Sequence, residues 1–221
     1  MLNQTKKWWT VLISSLCIAA FWFYLLSTQV ATPQVTYLKW FPPFKTAFMG
    51  VSDHDINYKW KPLSKISPNL QRAVVVAEDD QFFGHQGFDT EAIKKAIEIN
   101  MKRGKFSRGG STITQQLARN LYLSPRKTLW RKFREFLVAL KLERELSKDR
   151  ILELYLNVVE FGDGIYGAEA ASRHYFNKNA ANLTKYEAAF LAAILPRPKF
   201  YDKNRLGPHL QRRIAIIESL I

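Results

Sequence analysis

From Trp8 to Leu38 the chain carries no charged side chain. Its centre, "WWTVLISSLCIAAFWFYLL" (8 to 26), is long enough to cross about 30 Å of hydrocarbon at roughly 1.5 Å per helical residue. Lys6 and Lys7 precede it, so the positive-inside rule puts the N-terminus in the cytoplasm and the remainder outside. The following "STQVATPQV" lacks a clean small-x-small cleavage site, which favours an uncleaved anchor over a signal peptide. The expected organisation is a cytoplasmic tail over 1–7, a transmembrane anchor over 8–28, a juxtamembrane segment over 29–59 and a single domain over 60–221. Cys17, the only cysteine, sits inside the anchor as a small apolar residue, so neither an internal disulfide nor a cysteine-based metal site is available.

The anchor changes the meaning of the charge. Lys plus Arg is 33 against 19 acids, a formal net charge of +14. Outside the inner membrane such a chain meets anionic headgroups and phosphate-bearing lipids rather than nucleic acid. The juxtamembrane "ATPQVTYLKWFPPFKTAFMGVS" places Trp40, Phe41, Phe44, Phe48 and Met49 near lysines. That mixture suits the membrane interface and suits packing onto the domain equally.

Beyond Ser67 the pattern is helical and well punctuated. Ser67 and Pro68 open "SPNLQRAVVVAE" as N-cap and first helical residue. "DTEAIKKAIEINMKRG" has Ile93, Ile97 and Met101 at four-residue spacing. "STITQQLARNLYL" follows a glycine-bearing loop (103 to 111), with Ser111 read as its cap. The longest helix carries Leu129, Phe133, Phe136, Leu137 and Leu140 along one apolar face. "SKDRILELYLNVV" starts at Ser147, Thr184 and Glu187 form a capping box, and "GPHLQRRIAIIESLI" reads as a terminal helix. A second glycine-bearing loop, "EFGDGIYG", covers 160 to 167, and no alternating strand set is visible. The expected fold is mainly α.

Three constellations can carry chemistry. In "AEDDQFFGHQGFD" the acids Glu78, Asp79 and Asp80 stand beside two phenylalanines in a basic chain. A carboxylate desolvated by Phe82 and Phe83 would rise toward the general-base range. By composition alone the triplet also fits solvated loop acids, or an Asp79–His85 pair that fixes the loop. On the longest helix, Arg131 and Lys132 lie four and three residues before Glu135, which fits a charged site but, by these residues alone, fits a surface ion-pair lattice better. "RGGSTITQQLAR" offers backbone N–H groups, Ser111 and Thr112 at a helix N-terminus, suited to phosphate, with Gln116 and Arg119 further along. It is not a P-loop, because the GK[ST] lysine is missing. Neither His85 nor His174 has metal-ligand spacing, and neither HExxH nor GxSxG occurs.

The order of these pieces is specific. "EDDQFFGHQGFD", "GGSTITQQLARN", "RKFREFLVALKLE", "KDRILELYLNVVEFGDGIYG" and "AEAASRHYFNKNAANLTKYEAAFLAAILPRP" resemble, in sequence, the motif series of the peptidoglycan glycosyltransferases of penicillin-binding-protein type. The resemblance runs from about Trp60 to Tyr201. Larger members continue into a penicillin-binding transpeptidase domain, so a chain ending at Ile221 is expected to be a monofunctional member.

The resemblance implies a lysozyme-like α-helical fold with a small membrane-facing lobe around "IEINMKRGKFSRG". It implies polymerisation of lipid II: the C4 hydroxyl of the acceptor attacks C1 of the growing chain with inversion and displaces undecaprenyl diphosphate. Glu78 takes the place of the family's catalytic base and Glu135 that of its second glutamate. Ser111, Thr112, Gln116, Arg119, Arg131 and Lys132 fall on its substrate and diphosphate contacts. Arg119 replaces a more usual Lys, which keeps the charge and allows bidentate hydrogen bonding to phosphate. Asp79, Phe82 and His85 are expected to shape the first motif. A divalent cation, Mg or Mn, is admitted as a diphosphate partner, although no dedicated ligand set is visible. Inner-membrane lipids and other cell-wall synthesis or division proteins are the further partners implied. A lysozyme-like lytic enzyme would need no basic strip, and a non-catalytic lipid-binding membrane protein would leave the ordered motifs unexplained.

Overall fold

Thr112, Thr128, Ser147 and Thr184 each cap a helix start through their side chains in the computed structural model, which describes residues 8–9, 12–21, 23, 33–43, 45–51, 55–91, 93–94, 98, 101, 110–126 and 128–221. The chain divides into two units, Met1–Gln34 and Val35–Ile221. In the first, the described residues between 8 and 23 are helical, and Trp8, Trp9, Leu12, Ile13, Leu16, Ile18, Phe21 and Phe23 are all exposed. No helix among the described residues is long and apolar enough to cross a membrane. The run read as an anchor over 8–28 extends over positions outside the described set.

The second unit is built from α1 (Pro68–Glu78), α2 (Ile113–Tyr122), α3 (Leu129–Glu145), α4 (Lys148–Val158), α5 (Ala168–Phe176), α6 (Lys185–Ile194), α7 (Pro198–Lys203) and α8 (Pro208–Leu220). The capping box of α6 forms as its sequence dictates. Thr184 accepts from Glu187 N at 3.3 Å, and the Glu187 carboxylate accepts from Thr184 N at 2.9 Å. Helix α6 is buried along most of its length and packs against α1 and α8, while α2 packs against α3 and α4. Of the helix expected over 89–104, the described positions 90, 91, 93, 94, 98 and 101 are helical. The lobe expected around 97–109 lies almost wholly outside the described residues.

Several local expectations change. Ser67 stands at the N-cap position of α1, but its hydroxyl donates to Leu183 O at 3.0 Å and caps nothing. Thr112, not Ser111, caps α2, accepting from Gln115 N at 3.2 Å. The "EFGDGIYG" segment is a hairpin: β2 (Glu160–Gly162) pairs antiparallel with β3 (Ile165–Tyr166), which pairs parallel with β1 (Asn57–Tyr58). Gly167 closes it with φ 83° and ψ 160°, and a Cβ there would lie 2.4 Å from Asn157 O. Only glycine fits both the angle and the approach.

The apolar stripe expected on α3 does not become its buried face. Leu129 is 92% exposed and Trp130 is exposed, whereas Glu135, Val138, Ala139 and Leu142 face inward. Trp130 and Phe133 stack on each other at 5.7 Å, and Phe136 meets Phe88 at 5.4 Å. Periodicity marks an apolar face but not the partner that covers it. Here α2 meets the face holding Glu135, which is tolerable because two cations on α3 pair with that carboxylate.

The segment before α1 splits between the two readings of its apolar residues. Val35, Leu38 and Met49 are buried, Val35 and Leu38 within the domain core, while Trp40 and Phe41 stay exposed. Phe44 lies outside the described residues.

Candidate active site

Glu78 is the last residue of α1, where the helix ends and its side chain turns toward α2 and α8. Gln116 Nε2 donates to Glu78 Oε2 at 2.9 Å, and an Arg213 guanidinium nitrogen donates to Oε1 at 3.2 Å. The Glu78 side chain is 13% exposed. Burial raises its pKa above the ordinary glutamate value, and the Gln116 bond and the charges of Arg213 and Arg119 only partly offset this. Behind it stands Tyr155, fully buried on α4, whose hydroxyl donates to Gln116 Oε1 at 3.0 Å. Burial, then the nearby Glu78 charge, pushes Tyr155 well above its usual pKa, so it remains a donor. A donor on Oε1 forces the amide of Gln116 to present its NH2 to Glu78. The order Tyr155–Gln116–Glu78 is thus set by chemistry, not by side-chain freedom.

The next residues build the loop. Asp79 caps α2, accepting from Ile113 N at 2.9 Å, and takes His85 Nε2 at 2.9 Å. Gly87 N donates to His85 Nδ1 at 3.2 Å, so the proton of the neutral ring lies on Nε2, facing Asp79. Gly87 adopts φ 90°, and its carbonyl accepts from Thr112 Oγ1 at 2.7 Å. Phe82 is fully buried beneath the loop, with Lys148 Nζ 4.5 Å from its ring centre. Asp79, Phe82 and His85 therefore lock the loop to the start of α2.

Glu135 forms the second cluster. It is 1% exposed, and its oxygens take Arg131 at 2.6 Å and Lys132 at 2.5 Å. Lys132 Nζ also reaches Ser111 Oγ at 2.8 Å and Gln115 Oε1 at 3.3 Å. Arg131 Nε donates to Arg126 O at 2.6 Å. Adjacent residues of α2, Gln115 and Gln116, thus serve the two glutamates on neighbouring faces of one helix. Arg119, one turn along α2 from Gln115, lies with its guanidinium 5.9 Å from the centre of the Phe48 ring. Among the described residues, the Nε atoms of Arg119 and Arg213 are buried without a hydrogen-bond partner. Unused cationic donors near a desolvated carboxylate suit an anionic substrate group.

The residues singled out in the sequence do converge, in two groups joined by α2. Thr112 differs in kind: its hydroxyl is engaged both by Gly87 O and by Gln115 N. Sequence reasoning missed Tyr155, Arg213 and Gln115. Tyr155 had a signal, a tyrosine at a position of "ILELYLNVV" that periodicity buries. Arg213 had none. The carboxylates do not fit a divalent metal. Glu135 has both oxygens on cations, Asp79 is held by His85 and Ile113 N, and no three His, Cys, Asp or Glu side chains cluster among the described residues.

Fold and site define a class: a mainly helical domain in which two largely buried glutamates share one helix and a bank of cations. The chain belongs to the Transglycosylase family, whose model matches residues 45–220. It is 43% identical over 225 residues to the biosynthetic peptidoglycan transglycosylase of Nitrosospira multiformis, covering 96% of this chain and 94% of the relative. It is 52% identical over 164 residues to that of Chromobacterium violaceum (74% and 72% covered), and 48% identical over 187 residues to that of Dechloromonas aromatica (80% and 81%).

Proposed function

We propose that the chain polymerises lipid II into β-1,4-linked glycan strands, with Glu78 as the general base. The observation that carries this is the placement of Glu78: desolvated, fixed by Gln116 and Arg213, and on the neighbouring face of the helix whose N-terminus gathers Lys132 and Ser111. Glu78 takes the proton of the acceptor's C4 hydroxyl as that oxygen attacks C1 of the growing chain from the face opposite the diphosphate. The C1–O bond breaks, its electrons go to the diphosphate, and the anomeric centre inverts. Lys132, Arg131 and Arg119 stabilise the charge that develops there, and Ser111 orients a phosphate oxygen. Glu135 holds the two α3 cations in place, and Thr112 acts through the backbone it caps. Incubating the purified protein with lipid II tests this reading, the expected product being a polymer that lysozyme digests. Absence of polymer from folded protein would reject it.

Tyr155→Phe removes one hydroxyl from a buried ring and frees the Gln116 amide to turn its oxygen toward Glu78. Polymerisation is expected to fall roughly tenfold, matching the loss of a hydrogen bond worth about 1 kcal/mol or more. The acidic limb of the pH–rate profile is expected to move upward, because Glu78 loses a reliable donor. A rate loss with an unmoved profile would confine Tyr155 to packing.

We further propose a single-pass anchor over 8–28, with the N-terminus cytoplasmic and the domain on the periplasmic face of the inner membrane. Lys6 and Lys7 on one side and the outward apolar side chains between 8 and 23 support it. Deleting residues 1–30 is expected to lower activity strongly on lipid II in bilayers and little in detergent micelles, because anchoring raises the effective substrate concentration. Equal loss in both, with native circular dichroism, would place the segment in the catalytic machinery.

A further inference from the structure

Ahead of α1 the chain makes a single helical turn, Ala47–Gly50, that packs against α2. Thr46 caps it, its hydroxyl accepting from Met49 N at 3.1 Å. Thr46 and Met49 are both buried, so the turn is pinned at its start and along its inner side. No step of the proposed reaction uses this segment. Its remaining large side chain, Phe48, is half-buried, and the Arg119 guanidinium lies over its ring, 5.9 Å from the centre. That is within the ~6 Å over which an aromatic face attracts a cation.

Arg119 is otherwise the least supported cation of the site. Arg131 and Lys132 pair with Glu135, and Arg213 pairs with Glu78. Among the described residues Arg119 has no carboxylate partner, and its Nε is buried without an acceptor. It stands three and four residues beyond Gln116 and Gln115, on the side of α2 that serves the two glutamates. Its charge is felt by both Glu78 and Tyr155. A long side chain without a partner spreads over many rotamers, and ordering it costs entropy when substrate arrives. A carboxylate would order it, but would also cancel its charge and occupy its N–H groups, as Glu135 does for Arg131. An aromatic ring attracts the guanidinium through its quadrupole and consumes no N–H, so charge and donors stay available.

We propose that Phe48 is a positioning residue, whose ring holds the Arg119 guanidinium ready for the diphosphate of the substrate. The segment ahead of α1 is then part of the phosphate-binding end of the site and not a spacer. This inference rests on the reading of Arg119 as a cation that stabilises the departing diphosphate. It assigns Phe48 no contact with substrate: the ring acts only through Arg119.

Three full-length variants test it in detergent micelles: Phe48→Leu, Phe48→Tyr, and a protein carrying a ring-fluorinated phenylalanine at position 48. The first keeps an apolar side chain without a ring, the second keeps the ring face, and the third keeps the shape of phenylalanine without its negative face. Calorimetric titration with inorganic diphosphate needs no turnover, and lipid II polymerisation is measured beside it. Phe48→Leu and the fluorinated protein are each expected to bind diphosphate about fivefold more weakly and to polymerise about fivefold more slowly, with Phe48→Tyr within about twofold of wild type. On an Arg119→Met background, Phe48→Leu is expected to cause no further loss, because the two residues act as one unit. The fluorinated ring preserves packing, so its loss reports the cation contact even where Phe48→Leu folds poorly. Wild-type diphosphate binding in the fluorinated protein, or a Phe48→Leu loss that persists undiminished on Arg119→Met, would overturn the proposal. Arg119→Met that binds diphosphate and polymerises as wild type does would reject the placement of Arg119 at the phosphate, and Phe48 with it. An active Glu78→Gln enzyme would reject the base assignment and leave the diphosphate-binding result standing.

Discussion

Glu78→Gln is expected to reduce lipid II polymerisation by at least the 10²- to 10⁴-fold that a positioned general base typically supplies, while leaving the fold and substrate binding in place. The substitution is isosteric and keeps an oxygen for Gln116 or Arg213. What it removes is the capacity to accept the hydroxyl proton. Radiolabelled lipid II turnover measures the loss, and wild-type turnover in the variant would reject the assignment.

The same residue sets a pH dependence. Its pKa is raised, with burial the leading cause. A base must be deprotonated, so activity should fall as pH drops through that raised value, with its acidic limb above the range of an ordinary glutamate. The stability consequence has the opposite sense to a salt-bridged acid. The folded state binds the Glu78 proton more tightly than the unfolded chain does. Stability from this group is therefore greatest at low pH and declines as pH rises through the interval between the unfolded and folded values. At neutral pH the ionised carboxylate is a cost to the fold. Glu78→Gln should accordingly raise the thermal midpoint while removing activity, and a lowered midpoint would show that Arg213 and Gln116 outweigh burial.

Lys132→Ala and Arg131→Ala are expected to separate substrate handling from structure. Lys132 is partly exposed, spans Glu135, Ser111 and Gln115, and faces the α2 N-terminus. Losing a charge-assisted contact worth about 1.5–3 kcal/mol should lower the polymerisation rate by roughly ten- to more than a hundredfold and weaken a diphosphate-bearing inhibitor in parallel. Arg131 is more enclosed and is tied to Arg126 O as well as to Glu135. Its removal leaves a buried carboxylate with one cation, so Arg131→Ala should also lower stability by a few kcal/mol. Inhibitor binding and urea unfolding measured on both variants check this. Unchanged inhibitor affinity in Lys132→Ala would remove that residue from the diphosphate site.

What sequence alone determined was local. The Thr184–Glu187 capping box, Pro68 at the first turn of α1, Ser147 before α4 and the stop before Pro196 all depend on residues within one helical turn, and all stand as read. The pairing of Asp79 with His85 and the i,i+3 and i,i+4 contacts of Glu135 with Lys132 and Arg131 are of the same kind. Ordered motifs also made the family resemblance legible.

Which face of a helix is covered is decided elsewhere, by the neighbour that packs on it. The apolar stripe of α3 therefore looked like core and is half exposed, while Glu135, which looked like a surface charge, is sealed against α2. Glu78 acquires its character in the same way. Arg213 comes from 135 residues away because α8 lies across α1 and α6, and Tyr155 comes from a helix whose own pattern says only that the ring is buried. No local rule connects those positions. Desolvation and hydrogen-bond direction, the two quantities that turn a carboxylate into a base, exist only once these helices have packed.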